Sequence, residues 1–152
     1  MVIVGAYPFT ERRTGITVQC GGEPVNAMCA VDALGAGAML DRNSEIDAVC
    51  VQCSGRVFVA TAEQGTRVRE VTPAGAVVWV GIREDDGPAA NSLCTVIRFA
   101  CGSRHLDDWR EAQPPMKGYP LSVSDGLAVG RGIFGDLLRA EGVQGDVEVA
   151  NG

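Results

Sequence analysis

Four runs rich in β-branched residues follow one another over residues 45–52, 56–61, 66–72 and 76–82. Ser54-Gly55, Glu63-Gln64-Gly65 and Pro73-Ala74-Gly75 punctuate the short gaps between them. Parallel neighbours need a crossover of about a dozen residues or more, whereas antiparallel neighbours need only a tight turn. This stretch therefore favours antiparallel neighbours, a meander on which the rest of the chain is expected to pack.

The flanking segments fit around that meander. Residues 2–6 form an apolar run suited to an edge strand, and 8–13 read as a polar loop. Residues 15–20 (GITVQC) alternate apolar and polar, as a half-buried strand does, and Gly21-Gly22 marks a turn. Pro24 then stands where a first helical residue would, ahead of an Ala/Gly-rich helix over 25–40 (VNAMCAVDALGAGAML). Its small residues predict tight packing around Gly35 and Gly37. Residues 41–44 end it. After the meander, 83–90 is an acidic loop whose Asp85-Asp86 pair reads as solvated surface. Residues 91–101 read as a buried strand with Cys94 near its start. A short helix over 105–112 stops at Pro114-Pro115, and a final helix over 122–141 takes Ser122 or Ser124 as N-cap. The tail from 142 to 152 is expected to fray. The fold class is α+β: a mostly antiparallel, mixed sheet with flanking helices, in a single domain over 1–152.

Charge and composition exclude several functions. The net charge of −6 argues against nucleic acid and anionic membrane as main partners. No apolar run reaches the length of a membrane span, and the N-terminus lacks the pattern of a signal peptide. The expected location is cytoplasmic, where thiols stay reduced. Six cysteines (Cys20, Cys29, Cys50, Cys53, Cys94, Cys101) are then metal-binding, catalytic or simply buried rather than disulfide-bonded. With His105 the one histidine, imidazole-rich metal sites and Cys–His nucleophile pairs are nearly excluded.

Within 25–40, Cys29 and Asp32 stand three apart, which on a helix puts their Cβ atoms roughly 5–6 Å from each other. A thiol and a carboxylate that close can exchange a proton, and the thiolate is a ligand for soft metals. Cys94 would add a second thiolate if the fold brought it near. The simpler alternative is a core helix with one buried Cys and one exposed Asp. Cys50-Val51-Gln52-Cys53 has the spacing of half a zinc knuckle or a redox dithiol, with structural thiols as the plain alternative. Cys94 and Cys101 are too far apart for the missing half, so zinc at Cys50 and Cys53 rests on one pair. His105, beside Arg104, Asp107 and Asp108, reads as a solvated helix residue with no role. Trp79 and Trp109 read as core and helix packing.

The segment VNAMCAVDALGAGAML resembles the active-site helix of organomercurial (alkylmercury) lyases, which carry a Cys and, three residues on, an Asp. The order downstream is similar too: Cys50 closing a strand, Ser54-Gly55, Pro73-Ala74-Gly75, Cys94 opening a strand through Phe99, Trp109, and LSVSDGLAVG at the last helix. The resemblance runs from about Gly15 to Glu141. It implies protonolysis of a carbon–mercury bond, with Cys29 and Cys94 as the mercury-binding thiolates and Asp32 as a metal-site carboxylate that handles the proton. Hg(II) would be the bound product, with no cofactor required, and Cys50 matches a family cysteine read as structural. Cys53 and Cys101 have no evident counterpart. The implied partners are a small organomercurial or other small organic substrate, cytosolic thiols, and a mercuric reductase. The chain corresponds to the catalytic domain without the family's helical N-terminal domain, and Met28 stands where the family often has an aromatic residue. Two alternatives follow: a relative recruited to a lyase or isomerase step on a small organic molecule in specialised metabolism, or a soft-metal-binding protein without turnover.

Overall fold

The computed structural model describes residues 9–82, 97–115 and 117–142. In chain order the elements are β1 (Phe9–Thr10), β2 (Ile16–Gln19), β3 (Val25–Ala27), α1 (Ala30–Leu40), β4 (Glu45–Val49), β5 (Arg56–Ala62), β6 (Arg67–Thr72), β7 (Val77–Ile82), β8 (Ile97–Ala100), α2 (Ser103–Glu111), β9 (Lys117–Ser122) and α3 (Val123–Gly142). The strands form two sheets, ordered β1-β3-β2-β4-β5-β6 and β8-β7-β9. Every described pairing is antiparallel. The α+β class with antiparallel strands and flanking helices is as the sequence implied, but the strands divide into two sheets.

Strands β4, β5 and β6 form three strands of the expected meander, but the fourth run is β7 of the other sheet, where it pairs with β8 and β9 rather than β6. Ile46 and Ala48 of β4, with Val57 and Val59 of β5, point inward with Ile16 and Val18 of β2. Glu45, Asp47 and Val49 point out. That alternation pins the register, since a one-residue slip would turn every apolar side chain to water. The three-stranded sheet adds Val78, Trp79, Ile97 and Phe99 to the same continuous core. Trp79 is core, as expected, and the Arg110 guanidinium of α2 lies 4.2 Å from its ring centroid.

The expected helix over 25–40 is two elements. Val25–Ala27 is the strand β3, held between β1 and β2. Its backbone groups find ladder partners on both sides, which a local pattern cannot reveal. The helix begins only at Ala30, with Cys29 as the extended N-cap residue (φ −156°, ψ 177°). Pro24 consequently precedes a strand rather than opening a helix. The polar stretch 8–13 likewise contributes Phe9–Thr10 to the sheet.

Residues 117–122 form β9, which the sequence reading did not anticipate. Pro120 is tolerated there because β9 pairs only with β7, on the edge of its sheet. Ser122 then caps α3, accepting a hydrogen bond at Oγ from the Asp125 N–H at 3.0 Å. The strand expected over 91–101 is described for Ile97–Ala100, and residues 83–96 lie outside the described part, as do 2–6 and the tail from 143.

Helix α1 is buried on all sides from Ala30 to Gly37, as a helix enclosed by other elements must be. It packs on β2, β3 and β8, and against α3. The small residues decide how close that approach is. A Cβ on Gly130 of α3 would lie 2.8 Å from the Val31 carbonyl oxygen and 2.9 Å from Gly35 Cα. Gly65, at φ +78°, lies so close to Gly37 that a Cβ would meet α1 backbone. The tight packing expected at Gly35 and Gly37 is thus present on both flanks. Asp41 ends the helix in a left-handed conformation (φ 57°), and Arg42 N–H bonds back to the Gly37 carbonyl at 2.9 Å.

Candidate active site

The N-terminal end of α1 carries Cys29 and Asp32. Cys29 is the N-cap residue rather than an interior helical residue, and Asp32 is the third helical residue. Both are buried, at 1% and 2% exposure, so the expectation of an exposed carboxylate does not apply. A carboxylate is costly to bury unless neighbouring groups engage it, and both Cys29 and Asp32 have partners in the fold. The third helical position is the one from which an acidic side chain reaches back toward the N-cap residue, as in a capping box. The helix N-terminus also favours negative charge on side chains in its first turn. A thiol and a carboxylate are therefore both buried at a helix end where an anion is welcome and bulk water is absent. Cys94, the third member of the expected set, lies outside the described residues.

A second cluster of donor atoms stands where the two sheets meet. Cys50 Sγ, Cys53 Sγ, Cys101 Sγ and a ring nitrogen of His105 all lie within 4.8 Å of one another. Cys50 Sγ is 3.6 Å from His105 Nδ1, and Cys53 Sγ is 3.7 Å from Cys101 Sγ. The β4–β5 turn supplies the first two residues and the β8–α2 junction the others. The two segments are tied by a hydrogen bond from Val51 N–H to the Phe99 carbonyl at 2.9 Å. The reading of His105 as a solvated residue without a role is corrected here: its ring faces Cys50. The second half of the cluster is Cys101-x-x-x-His105, not Cys94 with Cys101.

The thiols of this cluster respond in opposite directions. Burial pushes Cys50 up, but N–H donors from Cys53, Cys101 and Gln52 and the His105 side chain outweigh it, holding the thiol down at about 6. Cys101 is pushed up to about 12 by burial and by its two sulfur neighbours, Cys53 and Cys50. Adjacent anions disfavour one another, so one thiolate forms readily and its neighbour then stays protonated.

The sequence model of the alkylmercury lyase family matches residues 9–135. The chain belongs to the alkylmercury lyase family. That match includes Cys29, Asp32 and Cys94 as well as the four residues of the second cluster. Among curated relatives, the alkylmercury lyases of Bacillus cereus and Clostridium butyricum are each 27% identical over 110 residues, 72% of this chain. The chain spans about half the length of these relatives, 49% in each case. The crystal structure of the mercury-bound form of MerB2 superposes with a TM-score of 0.76 over 86% of this chain and 63% of the other, at 22% identity. That likeness establishes the alkylmercury lyase fold. No helix among the described residues is long and apolar enough to cross a membrane.

Proposed function

We propose that this alkylmercury lyase family member cleaves carbon–mercury bonds by protonolysis, with Cys29 and Cys94 as the mercury-binding thiolates and Asp32 as the proton carrier. The observation that carries this reading is the burial of Cys29 and Asp32 together at the N-terminus of α1. The family match across 9–135 supports it.

The chemistry balances without a cofactor. Asp32 accepts the proton of one thiol as its sulfur bonds to the mercury of R–Hg⁺, and the second thiol releases its proton to the medium as it binds. Two thiolate ligands load electron density onto the carbon. The Asp32 carboxylic acid then delivers its proton to that carbon as the carbon–mercury bond breaks, giving R–H and a Hg(II) dithiolate. Because water is excluded, the proton stays with the carboxyl until the carbon becomes basic enough to take it. Exchange with small thiols would carry Hg(II) away, and a mercuric reductase is the reaction class that consumes it. The cytoplasm, where such thiols abound, is the compartment this chemistry suits.

Headspace detection of benzene from phenylmercury with excess thiol tests this. Wild type turns over, and Cys29→Ser, which replaces a soft ligand by a hard one, loses at least about 100-fold of that rate. A Cys29→Ser protein that still released benzene at the wild-type rate would remove Cys29 from the mechanism.

A further inference from the structure

The Cys50–Cys53–Cys101–His105 cluster plays no part in the chemistry above. We propose that it is a structural zinc site, Cys₃His, that clamps the six-stranded sheet to the three-stranded one.

Three observations carry this. The first is spacing in space. Zn–S bonds of about 2.3 Å and Zn–N bonds of about 2.0–2.1 Å at tetrahedral angles put S···S at about 3.8 Å and S···N at about 3.6 Å. Two of the separations match, 3.7 Å for Cys53–Cys101 and 3.6 Å for Cys50–His105, and all four donor atoms lie within 4.8 Å of one another. The second is spacing in sequence: Cys-x₂-Cys from one turn and Cys-x₃-His from another are the two halves of a structural zinc ligand set. The third is the surrounding hydrogen bonding. Gln52 N–H and Cys101 N–H point at Cys50 Sγ at 3.4 and 3.3 Å, and Gly55 N–H points at Cys53 Sγ at 3.3 Å. Such donors fix sulfur ligands and offset the negative charge of three thiolates on one divalent ion. Gly55 leaves room for them, since a Cβ there would lie 3.1 Å from Cys53 Sγ.

Metal binding takes three thiols and a neutral imidazole to a ZnS₃N centre of net charge −1, and three protons leave to solvent. The ion neutralises the repulsion that otherwise keeps these sulfurs from ionising together. It also joins chain segments 48 residues apart, Cys53 and Cys101, across the seam between the sheets. Four protein ligands close a tetrahedral site, so this zinc has no open position and takes no part in catalysis.

The test is metal content of the full chain purified without chelator, with cobalt substitution as the spectroscopic readout. The expected result is one zinc per chain, and intense tetrahedral d–d bands with thiolate-to-metal charge transfer for cobalt. Chelation should lower Tm by about 10 °C, the shift given by releasing a ligand present at 100–1,000 times its Kd from a chain this size. Cys53→Ser, at an exposed position, and His105→Ala each lose the metal or bind it at least about 100-fold more weakly. Cys29→Ser retains one zinc, which separates this site from the lyase thiols. The proposal is overturned by wild-type protein that neither contains nor takes up zinc. Metal retained by both Cys53→Ser and His105→Ala, metal lost by Cys29→Ser, or a Cys53–Cys101 disulfide in protein purified under reducing conditions also overturns it.

Discussion

Alanine at Gly130 and alanine at Gly132 should change stability in opposite directions, although both glycines lie on α3. In an exposed helix, Gly→Ala stabilises by roughly 0.5–1 kcal/mol through backbone entropy and helix propensity. At Gly132 a Cβ meets nothing within 4 Å, so that gain is realised in full. At Gly130 the same Cβ would sit 2.8–2.9 Å from Val31 and Gly35 backbone atoms. Ordinary contact begins near 3.5 Å, so α3 must move away by several tenths of an ångström. Backbone cannot swing aside as a side-chain end can. Overpacking of this kind costs about 1–3 kcal/mol, leaving a net loss of about 1–2 kcal/mol after the propensity gain. The propensity gain is common to both, so the two variants should differ by the overpacking cost, about 1–3 kcal/mol, or roughly 2–12 °C in Tm for a chain of this size. Thermal and urea unfolding with matched metal content measures this. Equal stability of the two variants would refute the close α1–α3 contact, and with it the support that positions the helix carrying Cys29 and Asp32.

Three further outcomes follow. Leu34, fully buried on α1, should cost about 2–5 kcal/mol on replacement by Ala, read from the urea midpoint, the upper end applying if the enclosed helix cannot collapse around the void. Thr61→Val removes an acceptor that Ser44 N–H reaches at 2.8 Å inside the core, so it should cost about 1–3 kcal/mol despite its matched shape. The Cys20 thiol is pushed from 9.0 to about 11 by burial, only partly countered by the Arg42 guanidinium. At pH 8 its thiolate should be about 100-fold scarcer than in unfolded chain, and iodoacetamide labelling followed by peptide mass spectrometry should show that lag. Because unfolded Cys20 ionises first, stability should fall as pH rises from about 9 toward 11.

Sequence patterns carried β4 to β6 of the meander well, because β4 alternates cleanly and short turns join it to β5 and β5 to β6. Alternation says which face is buried but not which strands share a sheet, so the division into two sheets came only with the structure. Val25–Ala27 misled for a related reason. An apolar stretch running into an Ala-rich helix has helical composition, and only pairing with β1 and β2, distant in sequence, makes it a strand. Residues 117–122 were hidden because Gly118 and Pro120 read as breakers, which an edge strand can absorb.

The site was partly legible too. Cys29 and Asp32 keep to one helix end despite the shift in helix start, as the N-cap residue and the third helical residue. Burial of Asp32 was not readable, since it depends on what covers the helix end. The second cluster does leave a signal in the sequence. Cys101 and His105 have zinc-ligand spacing, but Cys94 is the cysteine nearest Cys101 in sequence outside the first pair and masks that match. Charged neighbours made His105 look solvated, although a helix shows different faces at 104, 107 and 108. Hydrogen bonds between the two remote turns, Val51 N–H to the Phe99 carbonyl and Cys101 N–H to Cys50 Sγ, bring the halves together.

The most direct test of the lyase account is the isotopic content of benzene released from phenylmercury in deuterated buffer with excess thiol. Wild type should give monodeuterated benzene, one per Hg(II) formed, and Asp32→Asn should bind mercury yet release benzene at least about 100-fold more slowly. No benzene from wild type, or unimpaired release by Asp32→Asn, would contradict the assignment of this carboxylate as the proton donor to carbon.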